Sequence, residues 1–137
     1  MLRRLMLAAV LAGSGATAAV AGAQDAVIAA LTAQAKQENA GFTGFSAENG
    51  KALFMATHQG GKPDTPSCTT CHTDNVKATG KTRAGKEIAP MAVSANAERF
   101  TDMAKVEKWF GRNCNSVLGR DCTAQEKGDV ATWLVQQ

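Results

Sequence analysis

The strongest constraint on this chain is the pattern Cys68-Thr69-Thr70-Cys71-His72. A C-x-x-C-H pattern is typical of c-type haem attachment, in which two thiols add to the vinyl groups of the porphyrin. The histidine that follows is then placed to bind the iron from one side. The alternative is a redox-active cysteine pair that a histidine follows by chance. Because so short a pattern is only moderately specific, the choice depends on the rest of the chain.

Residues 1–23 have the organisation of a secretory signal peptide. Arg3 and Arg4 precede an apolar run that begins at Leu5, and Ala21-Gly22-Ala23 has the A-x-A form of a cleavage site. Glycines and polar residues interrupt the run, so it falls short of the roughly 20 apolar residues of a membrane-spanning helix. We therefore expect an exported protein of the bacterial periplasm, not an integral membrane protein. Haem attachment takes place in this oxidising compartment.

After cleavage, a single small domain with little net charge remains. Loss of Arg3 and Arg4 lowers the formal charge from +3 to about +1. Because acidic and basic residues are interspersed, this balance argues against a nucleic acid partner. A hydrophobic core of this size is marginal by itself, and a covalently held haem would add a large apolar body to it. We predict a helical extension over residues 24–45 and a haem-binding domain over residues 46–137.

Helix start signals indicate an all-α protein. Four helices are predicted, each after a capping residue: Asp25 before 26–36, Ser46 before 47 to about 57, Asp102 before 103 to about 112, and Thr123 before 124 to about 135. Thr123 and Glu126 have the spacing of a capping box. Gly50, four residues before Phe54, is expected to let the first core helix approach the last one closely. This layout is that of a class I cytochrome c fold with an N-terminal helical extension.

Function depends on the group at the second axial position of the iron. A methionine or a second histidine favours electron transfer, whereas a weak or absent ligand leaves the iron open to diatomic gases. Met91 lies in a short apolar segment and is a reasonable sulfur ligand, although it follows His72 by only nineteen residues. Met55 and Met103 are expected to fill the core, and His58 to be exposed or to cap a helix.

Asn113 is a less usual candidate for this position. Val106, Trp109, Phe110 and Asn113 lie at i, i+3, i+4 and i+7, which places them on one face of the third predicted helix. An asparagine at a helix end is usually a C-cap, and the residue pattern by itself favours that role. If Asn113 instead faces the iron, its amide oxygen would be a weak ligand that is easily displaced. Both interpretations stay open at this level.

Cys114 and Cys122 form a second cysteine pair directly after Asn113. In an exported protein, a separation of seven residues predicts a disulfide bond, worth on the order of 2–3 kcal/mol. Such a bond would also hold the segment beside Asn113. A zinc site that adds Cys68 and Cys71 is the alternative, but the seven-residue gap does not fit the usual zinc-ribbon spacing.

Long segments of this sequence closely resemble one known family. They are Ser67–Asn75, Lys86–Pro90, Arg99–Asn115 and Val117–Val130. The motif Arg-Asn-Cys-Asn at residues 112–115 is much more specific than C-x-x-C-H. On these residues the chain resembles the sphaeroides haem protein family, the high-spin, oxygen-binding c-type cytochromes of the bacterial periplasm.

The resemblance implies a class I cytochrome c fold around one haem that is attached through Cys68 and Cys71. The axial ligands would be His72 and Asn113, and Asn113 would leave the iron on reduction or on ligand binding. The resemblance also implies a disulfide between the second pair of cysteines and binding of O₂ and NO. The electron donor would be a dihaem cytochrome c or a membrane cytochrome b.

The leading hypothesis is a periplasmic monohaem cytochrome that binds diatomic ligands, with Trp109 and Phe110 as walls of the pocket. The alternative is a plain electron carrier with Met91 on the iron, since Met91 stands where the family would have a non-ligating aliphatic residue. No separate catalytic acid or base is recognisable, so any turnover of NO with O₂ would be the chemistry of the haem. The lysine-rich stretch 75–86 is either a docking surface or a solvated loop.

Overall fold

The fold is known from a computed structural model, which describes residues 15–137 and side chains from residue 22 onward. Its elements are α1 Gly15–Glu38, α2 Ala47–Met55, α3 Thr69–His72, β1 Gly80–Lys81, β2 Glu87–Ile88, α4 Met103–Leu118 and α5 Ala124–Val135. The predicted all-α fold is confirmed, because the only two strands in this range have two residues each. No helix in the described part is long and apolar enough to cross a membrane. Most of the predicted signal peptide, residues 1–14, lies outside the described residues.

The N-terminal helix begins earlier than the sequence pattern predicted. α1 is continuous from Gly15 to Glu38, so Asp25 lies inside the helix and the predicted N-cap at Asp25 is wrong. Alanine, which has the highest intrinsic helix propensity, is the commonest residue around Asp25, and no proline interrupts the segment, so the helix tolerates the single Gly22. Val27 and Leu31 are buried where α1 packs against α5.

α2 and α5 cross in close contact, as the sequence predicted. An ideal Cβ atom placed on Gly50 would lie 2.1 Å from the carbonyl oxygen of Asp129 in α5. One turn further along α2, the rings of Phe54 and Trp133 meet edge to face, with their centroids 5.3 Å apart. Leu134 is completely buried beside them. This crossing forms the core and one side of the cavity described below.

The predicted helix caps are confirmed for α2, α4 and α5. The side chains of Ser46, Asp102 and Thr123 each accept a hydrogen bond from the third backbone N–H of their helix, and Thr123 forms a complete capping box. The predicted end of α4 near Arg112 is wrong. The helix continues to Leu118 and ends at Gly119, whose φ of 72° lies in the left-handed region. Asn113 is therefore an interior helix residue, so the C-cap role is excluded.

Candidate haem-binding site

One large cavity brings together the residues that the sequence predicted to hold a haem. It contains about 1180 Å³ of space free of protein atoms, including its open mouth. The predicted site residues on its wall are Cys68, Cys71, His72, Trp109, Phe110 and Asn113. The cavity is thus shaped by α2, the short helix α3, α4 and α5.

Local hydrogen bonds and close packing hold the C-x-x-C-H segment in the cavity wall. The backbone N–H of Thr69 donates to the Ser67 hydroxyl at 3.2 Å, and this hydroxyl donates to the carbonyl of Phe54 at 3.4 Å. On the other side, an ideal Cβ atom on Gly80 would lie 2.1 Å from the carbonyl oxygen of Cys71. Since there is no room for a side chain at Gly80, the glycine allows β1 to press directly against α3.

His72 has the properties of a neutral metal ligand. Burial, together with a smaller effect of the positive charge of Arg99, lowers the pKa of its imidazole to about 4. The ring is therefore uncharged at neutral pH, as metal binding requires. Its Nδ1 atom is buried without a hydrogen-bond partner among the described residues. Two thiols and an imidazole in one apolar cavity fit the donor set of a c-type haem.

The state of Cys68 argues against the redox-pair alternative. The pKa of its thiol is raised to about 11. Burial is the largest cause, a backbone hydrogen bond acts in the opposite direction, and neighbouring Cys71 adds to the increase. Reactive C-x-x-C cysteines have the opposite property, a depressed pKa that yields a thiolate near neutral pH. The two sulfurs are also not bonded to each other. The pair is better suited to cofactor attachment than to thiol exchange.

Asn113 lies on the cavity wall in the middle of α4. Its side chain is half-buried, and its amide makes no hydrogen bond to any described residue. Its neighbour Asn115 points elsewhere: it is exposed, and its amide donates to the carbonyl of Gly111 at 2.8 Å and to Asp121 at 2.6 Å. Of these two asparagines, only Asn113 lines the cavity, and only its amide is without a hydrogen bond to a described residue.

Trp109 and Phe110 both line the cavity, but they differ in exposure. Phe110 is half-buried and packs against the core, whereas Trp109 is 49% exposed. The cationic groups of Lys108 and Arg112 lie 5.5 Å and 5.4 Å from the centroid of the Trp109 ring. Cation–π contacts of this kind are worth about 0.5–1 kcal/mol at exposed sites. They hold the indole at the mouth of the cavity.

The other candidate ligands are divided between cavity and core. Met91 and His58 line the cavity, whereas Met55 and Met103 are not among its lining residues and pack against the hydrophobic core. The imidazole Nε2 of His58 lies 3.0 Å from the carbonyl oxygen of Leu53, a hydrogen bond that occupies this nitrogen. Met91 and Asn113 therefore both line the cavity as candidates for the second axial ligand.

Arg99 is a cavity residue that the sequence reasoning did not single out. It belongs to the motif that carries the family resemblance, but neither charge pattern nor helical spacing distinguished it there. In the structure it follows a series of turns and reaches the cavity wall. The residue-by-residue match to the family was the one signal that pointed to this segment.

The sulfurs of Cys114 and Cys122 are bonded in the structure, with the two Cα atoms 5.6 Å apart. Cys114 is the residue after Asn113 and lies within α4, and Cys122 lies in the loop before α5. The bond ties the middle of α4 to this loop. A zinc site formed with Cys68 and Cys71 is incompatible with this pairing.

Replacing both Cys114 and Cys122 by serine should lower the free energy of unfolding by about 2–3 kcal/mol, because the unfolded chain then loses the constraint of a short loop. Urea unfolding of the haem-loaded variant and parent, followed by haem absorbance, measures the difference. The parent protein treated with a reductant that opens disulfides should match the variant. An unchanged unfolding midpoint in both cases would contradict the predicted bond.

Comparison with known proteins extends the resemblance over the whole chain. Residues 40–134 match a family described as Domain of unknown function (DUF1924). The chain is 55% identical to the cytochrome c-type protein SHP of Cereibacter sphaeroides, over the full length of both. A solved structure of oxidized SHP, described as an oxygen binding cytochrome c, superposes with a TM-score of 0.76 and 56% identity, covering 83% of this chain and 96% of that one.

A second relative is cytochrome c'' of Methylophilus methylotrophus. It is 38% identical over 93 residues, which are 67% of this chain and 65% of that protein. Its oxidized crystal structure has a TM-score of 0.69 and 32% identity, and the match covers 85% of this chain and 95% of that one. The cavity with its two thiols and imidazole fits the haem c that such proteins carry. The chain therefore belongs to the family of haem-containing c-type cytochromes that includes SHP.

Proposed function

We propose that this chain is a periplasmic monohaem cytochrome that binds O₂ and NO when Asn113 moves away from the iron. Cys68 and Cys71 attach the haem, His72 is the proximal ligand and Asn113 is the displaceable distal ligand. A dihaem cytochrome c or a membrane cytochrome b supplies the electrons. The full-length identity of 55% to SHP supports this proposal, because a solved structure of SHP is described as that of an oxygen binding cytochrome c.

The free amide of Asn113 is the observation that carries the proposal. Asn113 lines the cavity and no described residue hydrogen-bonds to its amide, so this amide is available to a group bound in the cavity. The haem is such a group, and an amide oxygen binds iron more weakly than methionine sulfur or imidazole. The Cys114–Cys122 bond supports the same role. It fixes the backbone beside Asn113, so that displacement requires only a rotation of the side chain.

When bound, the haem supplies a redox-active iron with one position for an exchangeable ligand. The chain controls access to that position. His72 would hold the iron on one side, and rotation of the Asn113 side chain would cover or uncover the other side. Phe110 and the apolar residues of the cavity limit the entry of water, whereas small uncharged gases can enter.

The visible spectrum of the dithionite-reduced protein, before and after addition of CO, tests this function. We expect a high-spin ferrous spectrum that shifts on addition of CO, because Asn113 does not hold the reduced iron. A Met91→Leu variant serves as the matched control and should behave like the parent. A low-spin ferrous spectrum that CO does not change would contradict the proposal.

Met91 supports a second candidate function, plain electron transfer with sulfur on the iron. Its side chain is half-buried and lines the same cavity. This function requires a sulfur-to-iron charge-transfer band in the ferric protein and loss of that band in Met91→Leu. The packing of Met91 against the hydrophobic core favours a filling role instead, since a side chain held in the core is less free to approach the iron.

A further inference from the structure

Arg99 places a positive charge on the cavity wall that is not paired with any acidic residue in the described part of the chain. Its Nε donates to the carbonyl of Pro90 at 2.9 Å and its Nη2 to the carbonyl of Ala89 at 2.5 Å. Both acceptors are neutral. Among the described residues no carboxylate lies within 4.0 Å of the guanidinium, whereas Lys105, another cation on the wall, lies 3.8 Å from Asp102.

The surroundings make this charge unfavourable as it stands. Arg99 is half-buried, and burial lowers the pKa of its guanidinium. The same charge lies near enough to His72 to lower the pKa of that imidazole. A charge that leaves water without a counter-ion costs free energy, so partly buried charges are normally paired. Glu98 and Asp102 also line the cavity, but neither carboxylate lies within 4.0 Å of the guanidinium, so Arg99 has no direct anionic partner among the described residues.

The backbone on both sides of Arg99 is held firmly. The side chain of Gln24 in α1 is 6% exposed, and its Nε2 donates to the carbonyls of Ala97 and Arg99, at 3.1 Å each. Phe100 has a φ of 58°, an unfavourable left-handed conformation for a bulky residue, and its side chain is buried. Such a conformation persists only where surrounding contacts enforce it. These contacts hold the backbone of Arg99, and the hydrogen bonds to Pro90 and Ala89 hold its side chain.

We propose that Arg99 binds a propionate group of the haem. The two propionates are the anionic groups of the porphyrin edge, and the planar guanidinium matches a carboxylate better than any other side chain does. Its Nη1 makes no hydrogen bond to a described residue and is available for this contact. Arg99 would then link the haem to the carbonyls of Ala89 and Pro90, directly before Met91. This inference rests on haem attachment and is independent of Asn113 as a ligand.

The haem-loaded Arg99→Gln variant tests the proposal through its reduction potential and its resonance Raman propionate band. A positive charge at the haem edge disfavours the ferric state, so its removal should lower the potential, and the freed propionate should shift its bending band. Arg99→Lys should have a reduction potential close to that of the parent, because the positive charge stays, but its propionate band should still shift. Arg83→Gln is the matched control: Arg83 is exposed beside Asp64, and its loss removes the same charge outside the cavity wall.

Equal potentials and an unmoved propionate band in Arg99→Gln and Arg83→Gln would overturn the proposal. If the Arg99→Gln variant does not assemble with haem, the Arg99→Lys variant tests the proposal instead. A shifted propionate band in Arg99→Lys supports the contact, and an unmoved band excludes it. The ferric spin state and CO binding test Asn113 separately and should be unchanged in Arg99→Lys. A failure of the ligand-binding function is thereby distinguished from a failure of the propionate contact.

Discussion

Replacing Asn113 by alanine should leave the haem attached but make the ferric iron five-coordinate. Attachment depends on Cys68, Cys71 and His72, which lie on α3 and do not require α4. Alanine offers no ligand atom, so the six-coordinate ferric spectrum should be lost completely. The reduced spectrum and its response to CO should be unchanged, because Asn113 has already left the reduced iron. Visible absorption and electron paramagnetic resonance of the ferric protein measure the change.

Asn115→Ala is the control for this prediction. Asn115 lies on the same helix, but it is exposed and its amide is bound to Gly111 and Asp121. Its replacement removes the same chemical group and should leave both spectra unchanged. If Asn113→Ala keeps the ferric spectrum of the parent while Met91→Leu alters it, the distal ligand is the sulfur and the role proposed for Asn113 is wrong.

Replacing Gly50 by alanine should destabilise the protein by about 3 kcal/mol or more, at the upper end for overpacked sites. The added Cβ would lie 2.1 Å from the carbonyl oxygen of Asp129 and 2.6 Å from the backbone nitrogen of Val130. These are backbone atoms of α5, so relief requires that the two helices move apart and that the contact between Phe54 and Trp133 is lost. Urea unfolding, followed by haem absorbance, measures the loss.

Gly111→Ala is the matched substitution and should raise the free energy of unfolding, whereas Gly50→Ala should lower it. Gly111 lies inside α4, and an ideal Cβ placed there meets no atom within 4 Å. Alanine has a higher helix propensity than glycine, so stability should rise by about 0.5–1 kcal/mol. Similar effects of the two substitutions would mean that helix propensity, rather than the close crossing of α2 and α5, decides the result at Gly50.

Short sequence patterns correctly predicted those parts of the fold that depend on interactions between residues close together in the chain. Ser46, Asp102 and Thr123 are capping residues because of their own side chains, so the sequence indicated these helix starts correctly. The end of α4 was not predictable in this way. The polar residues after Arg112 suggested termination, but burial of Val117 and the left-handed Gly119 extend the helix to Leu118.

The residues of the haem site that lie close together in the sequence were easier to predict than those that lie far apart. Cys68, Cys71 and His72 lie within five residues and form a recognisable pattern. Asn113 needed the family resemblance, because the apparent helix end favoured a capping role that the structure excludes. Arg99 could not be predicted, since its position depends on Gln24, seventy-five residues earlier in the chain.

The position of Gln24 has a practical consequence for protein production. If the leader is removed after Ala23, Gln24 becomes the first residue of the mature protein, and its buried amide supports the turn at Ala97 and Arg99. Cyclisation of an N-terminal glutamine expels its amide nitrogen, which is the donor of both hydrogen bonds. The mass of the first residue of recombinant material should therefore be checked.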